Sequence, residues 1–266
     1  MPKSSTKASP KSAAKANKLN KELVDKLVSA GKNLNDSLAD EIIAGGSDLI
    51  PDLIAIMQDE DLADVGMPGE GCVPLHALAL LKRMKAKDAI EPMLDLLGRC
   101  DPDDALLGDL ISAVKSFGEA ALEPGLKYLD QTKAGSDHHN AILDALSGIG
   151  VKDERLFAAL LKQLDDCPYL AAGNFVEYNN PAALPHLVRA LDKCKPLNDG
   201  GEAQVNEILE LSYAIETFDG KLTKHQTKLV RGAKSFQARQ RARIEREGKK
   251  IGFIPLTRPG VGVKVF

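Results

Sequence analysis

Cys72 and His76 stand four residues apart in a stretch of helical apolar spacing, Cys-Val-Pro-Leu-His-Ala-Leu-Ala-Leu-Leu. That spacing puts a thiol and an imidazole on one helix face, a geometry that holds a metal ion between two ligands. A zinc site needs two more ligands, and the chain has no CxxC or HxxxH pair to supply them. With Cys100, Cys167 and Cys194 far apart, the four cysteines read as small buried hydrophobes, and neither a metal nor another cofactor is expected. His138 and His139 are adjacent, so on a helix they diverge by about 100° and do not share a ligand. They follow Gly135-Ser136-Asp137 and read as a capped first turn. The acids Asp59, Glu60, Asp61 and Asp64, and then Asp101, Asp103, Asp104 and Asp109, lack the spacing of a calcium loop and read as caps and solvated turns. There is no GxSxG and no glycine-rich phosphate loop, so a catalytic role is not expected.

The other chemistry on offer is charge. The net charge of −3 conceals a basic start, with six Lys and no acid in residues 1–21. The middle, 22–220, has 16 bases against 36 acids, and 221–266 has 13 bases against two acids. Such asymmetry points to an anionic partner for the ends or a basic partner for the body. Lys228, Arg231, Lys234, Arg239, Arg241, Arg243 and Arg246 make the C-terminal segment the strongest anion-binding candidate. Leu222, Leu229 and Phe236 recur every seven residues as a thin stripe that docks its start. Only Phe236 is available to stack on a base.

These residues must be positioned by helices. Aromatics are 4% of the chain and Trp is absent, while Ala and Leu dominate, which favours helix packed on helix. No run approaches the ~18 apolar residues of a membrane span, so no membrane partner is expected. Residues 1–18, rich in Lys, Ser and Ala, are expected to be a disordered leader without a secretory signal, and the expected location is the reducing cytoplasm.

From 19 to 220 the apolar spacing predicts paired helices: 36–45 with 47–59, 71–85 with 88–99, 102–117 with 119–132, 137–148 with 153–165, and 169–179 with 181–194. A last pair joins 202–217 to a basic helix from 222. Pro51, Pro92, Pro124 and Pro185 each precede a leucine by two residues and read as first-turn prolines. Leu110–Gly118 (LISAVKSFG) is matched 32 residues later by Ile142–Gly150 (ILDALSGIG), each closing on a glycine C-cap. Asp88 with Glu91, Asp101 with Pro102 and Asp104, and Asn180 with Pro181 read as helix starts. Two helices per period of thirty-odd residues predict an all-α fold, an α-solenoid of about five to six antiparallel pairs over 19–220, followed by a basic capping helix and a non-helical tail over 221–266.

The run Ala77-Leu78-Ala79-Leu80-Leu81, then Lys87-Asp88-Ala89-Ile90-Glu91-Pro92-Met93-Leu94, resembles a HEAT-like repeat of the phycobilisome-lyase type. Residues 48–210 are similar to bacterial HEAT-repeat proteins that often end in a zinc-binding SEC-C motif, with Gly69–Ala77 carrying most of the likeness. In that family an aromatic commonly stands where this chain has Cys72. No cysteine follows Cys194, so the zinc motif is not carried over. The resemblance implies the solenoid fold and says little of activity, because such folds host many roles.

The expected function is a non-catalytic scaffold for a protein partner. Asp52, Glu91, Asp95, Glu123 and Asp165 on the second helices would line an acidic concave face that selects basic segments. The alternative is a nucleic-acid or ribosome-associated factor acting through the basic termini. The basic tail is also able to lie across the acidic body at high effective concentration.

Overall fold

The apolar positions of this chain recur at three and four residues, and a computed structural model turns them into helices, with no strand among the described residues. The structure describes residues 10–195 and 201–250, with side chains at 18–195, 201 and 203–246. The readings made of residues 1–9 and of the apolar tail 251–266 lie outside them. The described residues fall into two compact units, the first ending at Gln163 and the second beginning at Leu164.

The first unit holds α1 (Pro10–Val28), α2 (Asp36–Ala44), α3 (Ile50–Met57), α4 (Val73–Met84), α5 (Ile90–Leu97), α6 (Ala105–Ser116), α7 (Leu122–Gln131), α8 (Asp137–Ser147) and most of α9 (Glu154–Asp166). Each helix packs on near neighbours in sequence: α3 on α4, α5 on α6, α7 on α8, and then α4 on α6, α6 on α8 and α5 on α7. The faces turned inward are aliphatic. Leu53, Leu80, Leu81, Met93, Leu94, Leu110, Val114, Ile142, Leu143 and Leu146 are all at most 1% exposed. Each such side chain contributes about 1.5–3 kcal/mol on burial, so this core, not any polar feature, carries the stability.

A single-turn 3-10 helix leads straight into a helix at Gly46–Leu49 before α3, Lys87–Ala89 before α5 and Gly118–Ala121 before α7. The prolines follow directly: Pro51 lies at the start of α3, and Pro92 and Pro124 in the first turns of α5 and α7, where no intrahelical hydrogen bond is forfeited. Gly118 and Gly150 take φ of +60° and +78°, the left-handed turn expected of them at the ends of α6 and α8. Asp88 does not cap a helix. It sits within the 3-10 turn, and no side chain caps that turn or α5. Asp104 caps α6, accepting from the Leu106 N–H at 2.8 Å, so that helix starts at Ala105 rather than 102. At its other end the unit begins with α1, which runs from Pro10 through the proposed boundary at residue 18 and docks through Leu23 and Leu27. Its Ala, Lys and Leu content suits a helix once that docked turn has nucleated it.

The loop from 59 to 72 has two positions that only glycine fits. A Cβ on Gly69, at φ +89°, would meet the Val28 carbonyl oxygen at 2.8 Å, and one on Gly71, at φ +77°, the Ala63 carbonyl oxygen at 2.7 Å.

The second unit holds the end of α9, then α10 (Pro168–Tyr178), α11 (Leu184–Lys193), α12 (Glu202–Thr217) and α13 (Lys224–Lys250). Its core centres on α12, against which α10, α11 and α13 all pack. Asn180 caps the 3-10 turn Pro181–Ala183, accepting from the Ala182 N–H at 3.1 Å, and α11 follows with Pro185 at its start.

Candidate binding faces

The metal-ligand candidates are spent on structure. His76 Nε2 donates to the Gly31 carbonyl at 2.9 Å, which ties α4 to the loop after α1. Cys72 is the residue before α4, with its thiol 3.7 Å from the Glu70 carbonyl. His139 hydrogen-bonds Thr132 Oγ1 through Nδ1 at 3.0 Å, and its N–H is capped by Ser136. Asp59 accepts from the Asp61 N–H at 3.0 Å and Asp64 from the Gly66 N–H at 2.8 Å, the turn-capping roles the acid clusters suggest. Among the described residues no three His, Cys, Asp or Glu side chains gather as a metal set.

Two thiols are buried and two are half-buried. Burial, with the charge of Asp104 beside it, pushes the Cys100 thiol up to about 11. Burial and Glu207, whose Oε1 lies 3.3 Å from the sulfur, push Cys194 to about 12. A thiol reagent attacks the thiolate, so near pH 8 Cys100 and Cys194 should stay unmodified in the native protein. Cys72 and Cys167 should label first, and adding denaturant should expose all four. Peptide mass mapping checks this, and native labelling of Cys194 at the rate of Cys72 would refute it.

The acids expected to line a binding face are on the second helices, and four of the five are already engaged. Glu91 on α5 faces Lys127 on α7 at 3.9 Å. Glu123 on α7 receives both guanidinium nitrogens of Arg155 on α9, Nη1 at 3.2 Å. Asp95 pairs with Arg99 at 3.0 Å, and Arg99 also reaches Glu60 beyond α3 at 3.4 Å. In the second unit Asp165 meets Lys193 of α11 at 3.3 Å. Of the five, only Asp52 makes no ion pair among the described residues, and it is exposed. The first helices are joined similarly: Asp40 of α2 to Arg83 of α4 at 2.7 Å, Lys82 of α4 to Ser112 of α6 at 2.8 Å, and Lys115 of α6 to Asp144 of α8 at 2.8 Å.

Apart from Asp95–Arg99, whose members are four residues apart, these pairs stand 28 to 43 residues apart in sequence and join helices distant in the chain. Arg155 is the strongest joint. It also bonds Asp153 at 2.8 Å, and that guanidinium holds the Asp153 carboxyl down at about 2 and lowers Glu123 as well. The face keeps a negative potential all the same. Burial and then the charges of Asp95 and Glu91 push the Tyr128 phenol up.

The basic helix presents the opposite case. Its start is fixed by a reciprocal cap: the Gln226 N–H reaches Thr223 Oγ1 at 3.2 Å, while Gln226 Oε1 accepts from the Thr223 N–H at 2.9 Å. The Gln226 side chain is fully buried and its amide donates to Asp192 at 2.8 Å, which pins α13 to α11. Docking then runs through Leu229, Val230 and Ala233, all under 8% exposed, with Leu222 and Phe236 half-buried at the margins. The seven-residue stripe therefore finds the docked side but misses its centre. The motif Thr223-x-x-Gln226 was there to be read as a capping box.

Lys228, Arg231, Lys234, Arg239, Arg241 and Arg246 are exposed, and none makes an ion pair among the described residues. At 100° per residue, Lys228, Arg231, Arg239 and Arg246 align within about 80° on the side away from the docked residues. Arg243 stands beside that row, and the row is interrupted only by small residues such as Ser235 and Ala242.

No family model matches this chain, and neither a curated protein nor a solved structure matches it.

Proposed function

We propose that the helix pairs stack as a HEAT-like α-solenoid and that the protein is a non-catalytic binding module whose basic helix α13 grips the phosphate backbone of a nucleic acid. One observation carries this reading: Lys228, Arg231, Lys234, Arg239, Arg241 and Arg246 of α13 are exposed and make no ion pair among the described residues, whereas Glu91, Glu123 and Asp165 each face a base of a neighbouring helix. Charge that is not satisfied within the fold is the charge available to a ligand, and releasing condensed counterions from phosphates rewards such a row. The recurring 3-10-to-helix entries and the rungs between successive pairs support the stacked arrangement. No helix among the described residues is long and apolar enough to cross a membrane.

The acidic face supports a second reading, a scaffold for a basic protein segment. The Glu91 and Glu123 side chains remain 58% and 70% exposed, so their pairs are weak and open to exchange.

One experiment separates the two. Fluorescence anisotropy would follow the full chain binding a labelled oligonucleotide and, separately, a labelled Lys/Arg peptide. Reversing Lys228, Arg231, Arg239 and Arg246 to Glu should weaken the oligonucleotide by about a hundredfold or more, while Glu91→Lys, Asp95→Lys and Glu123→Lys leave it intact. Oligonucleotide affinity untouched by the α13 reversals would overturn the first reading. Peptide binding lost with the acid reversals would establish the second.

A further inference from the structure

Beyond Gln237 the basic helix leaves its support. From Ala238 to Arg246 every residue is exposed except the half-buried Gln240, and even the apolar Ile244 is 60% exposed. In that stretch four of nine residues are arginine. They do not lie on one side. Arg239, Arg243 and Arg246 fall within about 60° of one another, while Arg241 stands roughly 160° round the axis from Arg239 and Arg243, in line with Lys234 one heptad earlier. Across the whole of α13 ten bases stand against two acids, Glu245 and Glu247, and Glu245 pairs with none of the described bases.

Cations on both flanks of a bare rod do not suit a flat anionic surface, which would meet one row and leave the other in water. They suit a slot with phosphates on both walls. A helix with side chains is ~10–12 Å across, and the major groove of B-form DNA is ~12 Å wide, with one sugar-phosphate strand on each side. A-form RNA presents a deep, narrow major groove that excludes a helix. Single strands are gripped chiefly by stacking on aromatics, and from 237 to 250 the helix has none.

We infer that the protruding half of α13 enters the major groove of double-stranded B-form DNA, with Arg239, Arg243 and Arg246 on one phosphate wall and Arg241 on the other. This rests on the proposed anion-binding role of α13 and goes further, in naming duplex DNA as the ligand and two-sided contact as the mode. Small residues at Ala238 and Ala242 leave the rod slim enough to seat.

The test is anisotropy of the full chain with one 20-base-pair sequence as DNA duplex, RNA duplex and single-stranded DNA at fixed salt. Duplex DNA should bind at least about tenfold tighter than either of the others. Arg241→Glu and Arg239→Glu should each weaken it by about tenfold, because each turns a cation on one wall into an anion. Equal affinity for all three nucleic acids, still dependent on the α13 bases, would overturn the groove inference and leave the broader anion-binding reading standing. Duplex preference indifferent to Arg241→Glu would overturn the two-sided mode. Failure to bind any of the three would sink both readings.

Discussion

Replacing Phe175 with alanine should remove about 3–5 kcal/mol from the stability of the unit that begins at Leu164. Phe175 is fully buried on α10, one turn from Ala171 and Ala172, whose small side chains, also fully buried, let the helix backbone approach its neighbours closely. Tyr178, the other large side chain buried on α10, holds its own place in the core, so a cavity opens in the packing that α10 makes with α12. Leu170 on the same helix is 38% exposed, and truncating it should cost well under half as much. Urea melts followed by circular dichroism on the two single variants would show the difference as a shift in midpoint at constant slope. Equal midpoints would mean that α10 does not pack as described. Because α13 is carried on α12, any loss of oligonucleotide binding in the Phe175 variant should track its unfolded fraction and vanish under folding conditions.

The second large effect is on affinity. If α13 neutralises about five phosphates, raising salt from about 50 to 200 mM should lower the binding constant by roughly 10²–10³, with a log–log slope near −4 to −5. Removing one of the exposed bases, by Arg246→Gln for example, should flatten that slope by about one unit. A slope near zero would mean that apolar contact rather than counterion release drives association, and the exposed cations would be ordinary surface charge.

Much of the helical framework was legible in the sequence, and the reason is local. Leu110–Gly118 and Ile142–Gly150 share a pattern because α6 and α8 bury the same aliphatic face and end on glycines forced to positive φ. Prolines at 51, 92, 124 and 185 mark helix starts because nowhere else in a helix is the missing N–H harmless. What escaped the reading depends on contacts far apart in sequence. Glu91, Glu123 and Asp165 looked available to a partner because their counter-ions, Lys127, Arg155 and Lys193, stand 28 to 36 residues further on. Gln226 was overlooked for another reason. A polar residue on a basic helix is taken for surface until a carboxylate on another helix, here Asp192 of α11, is found to accept from its amide. Gly69 and Gly71 lie in a loop whose close backbone approaches no periodicity announces.

The joints between helix pairs have an evolutionary consequence. Each rung takes its acid and its base from different helix pairs, and on the second helices the acid always comes first in the chain, with separations of 28 to 39 residues. A rung survives when both of its members change sign together, whereas a change at one member alone sets two like charges against each other across the joint. The spread of separations shows that the joint already accommodates connectors of different length. Positions 28 to 39 residues apart are thus tied to one another, and substitutions at them are expected to come as compensating pairs, with Glu123→Lys best tolerated beside Arg155→Glu.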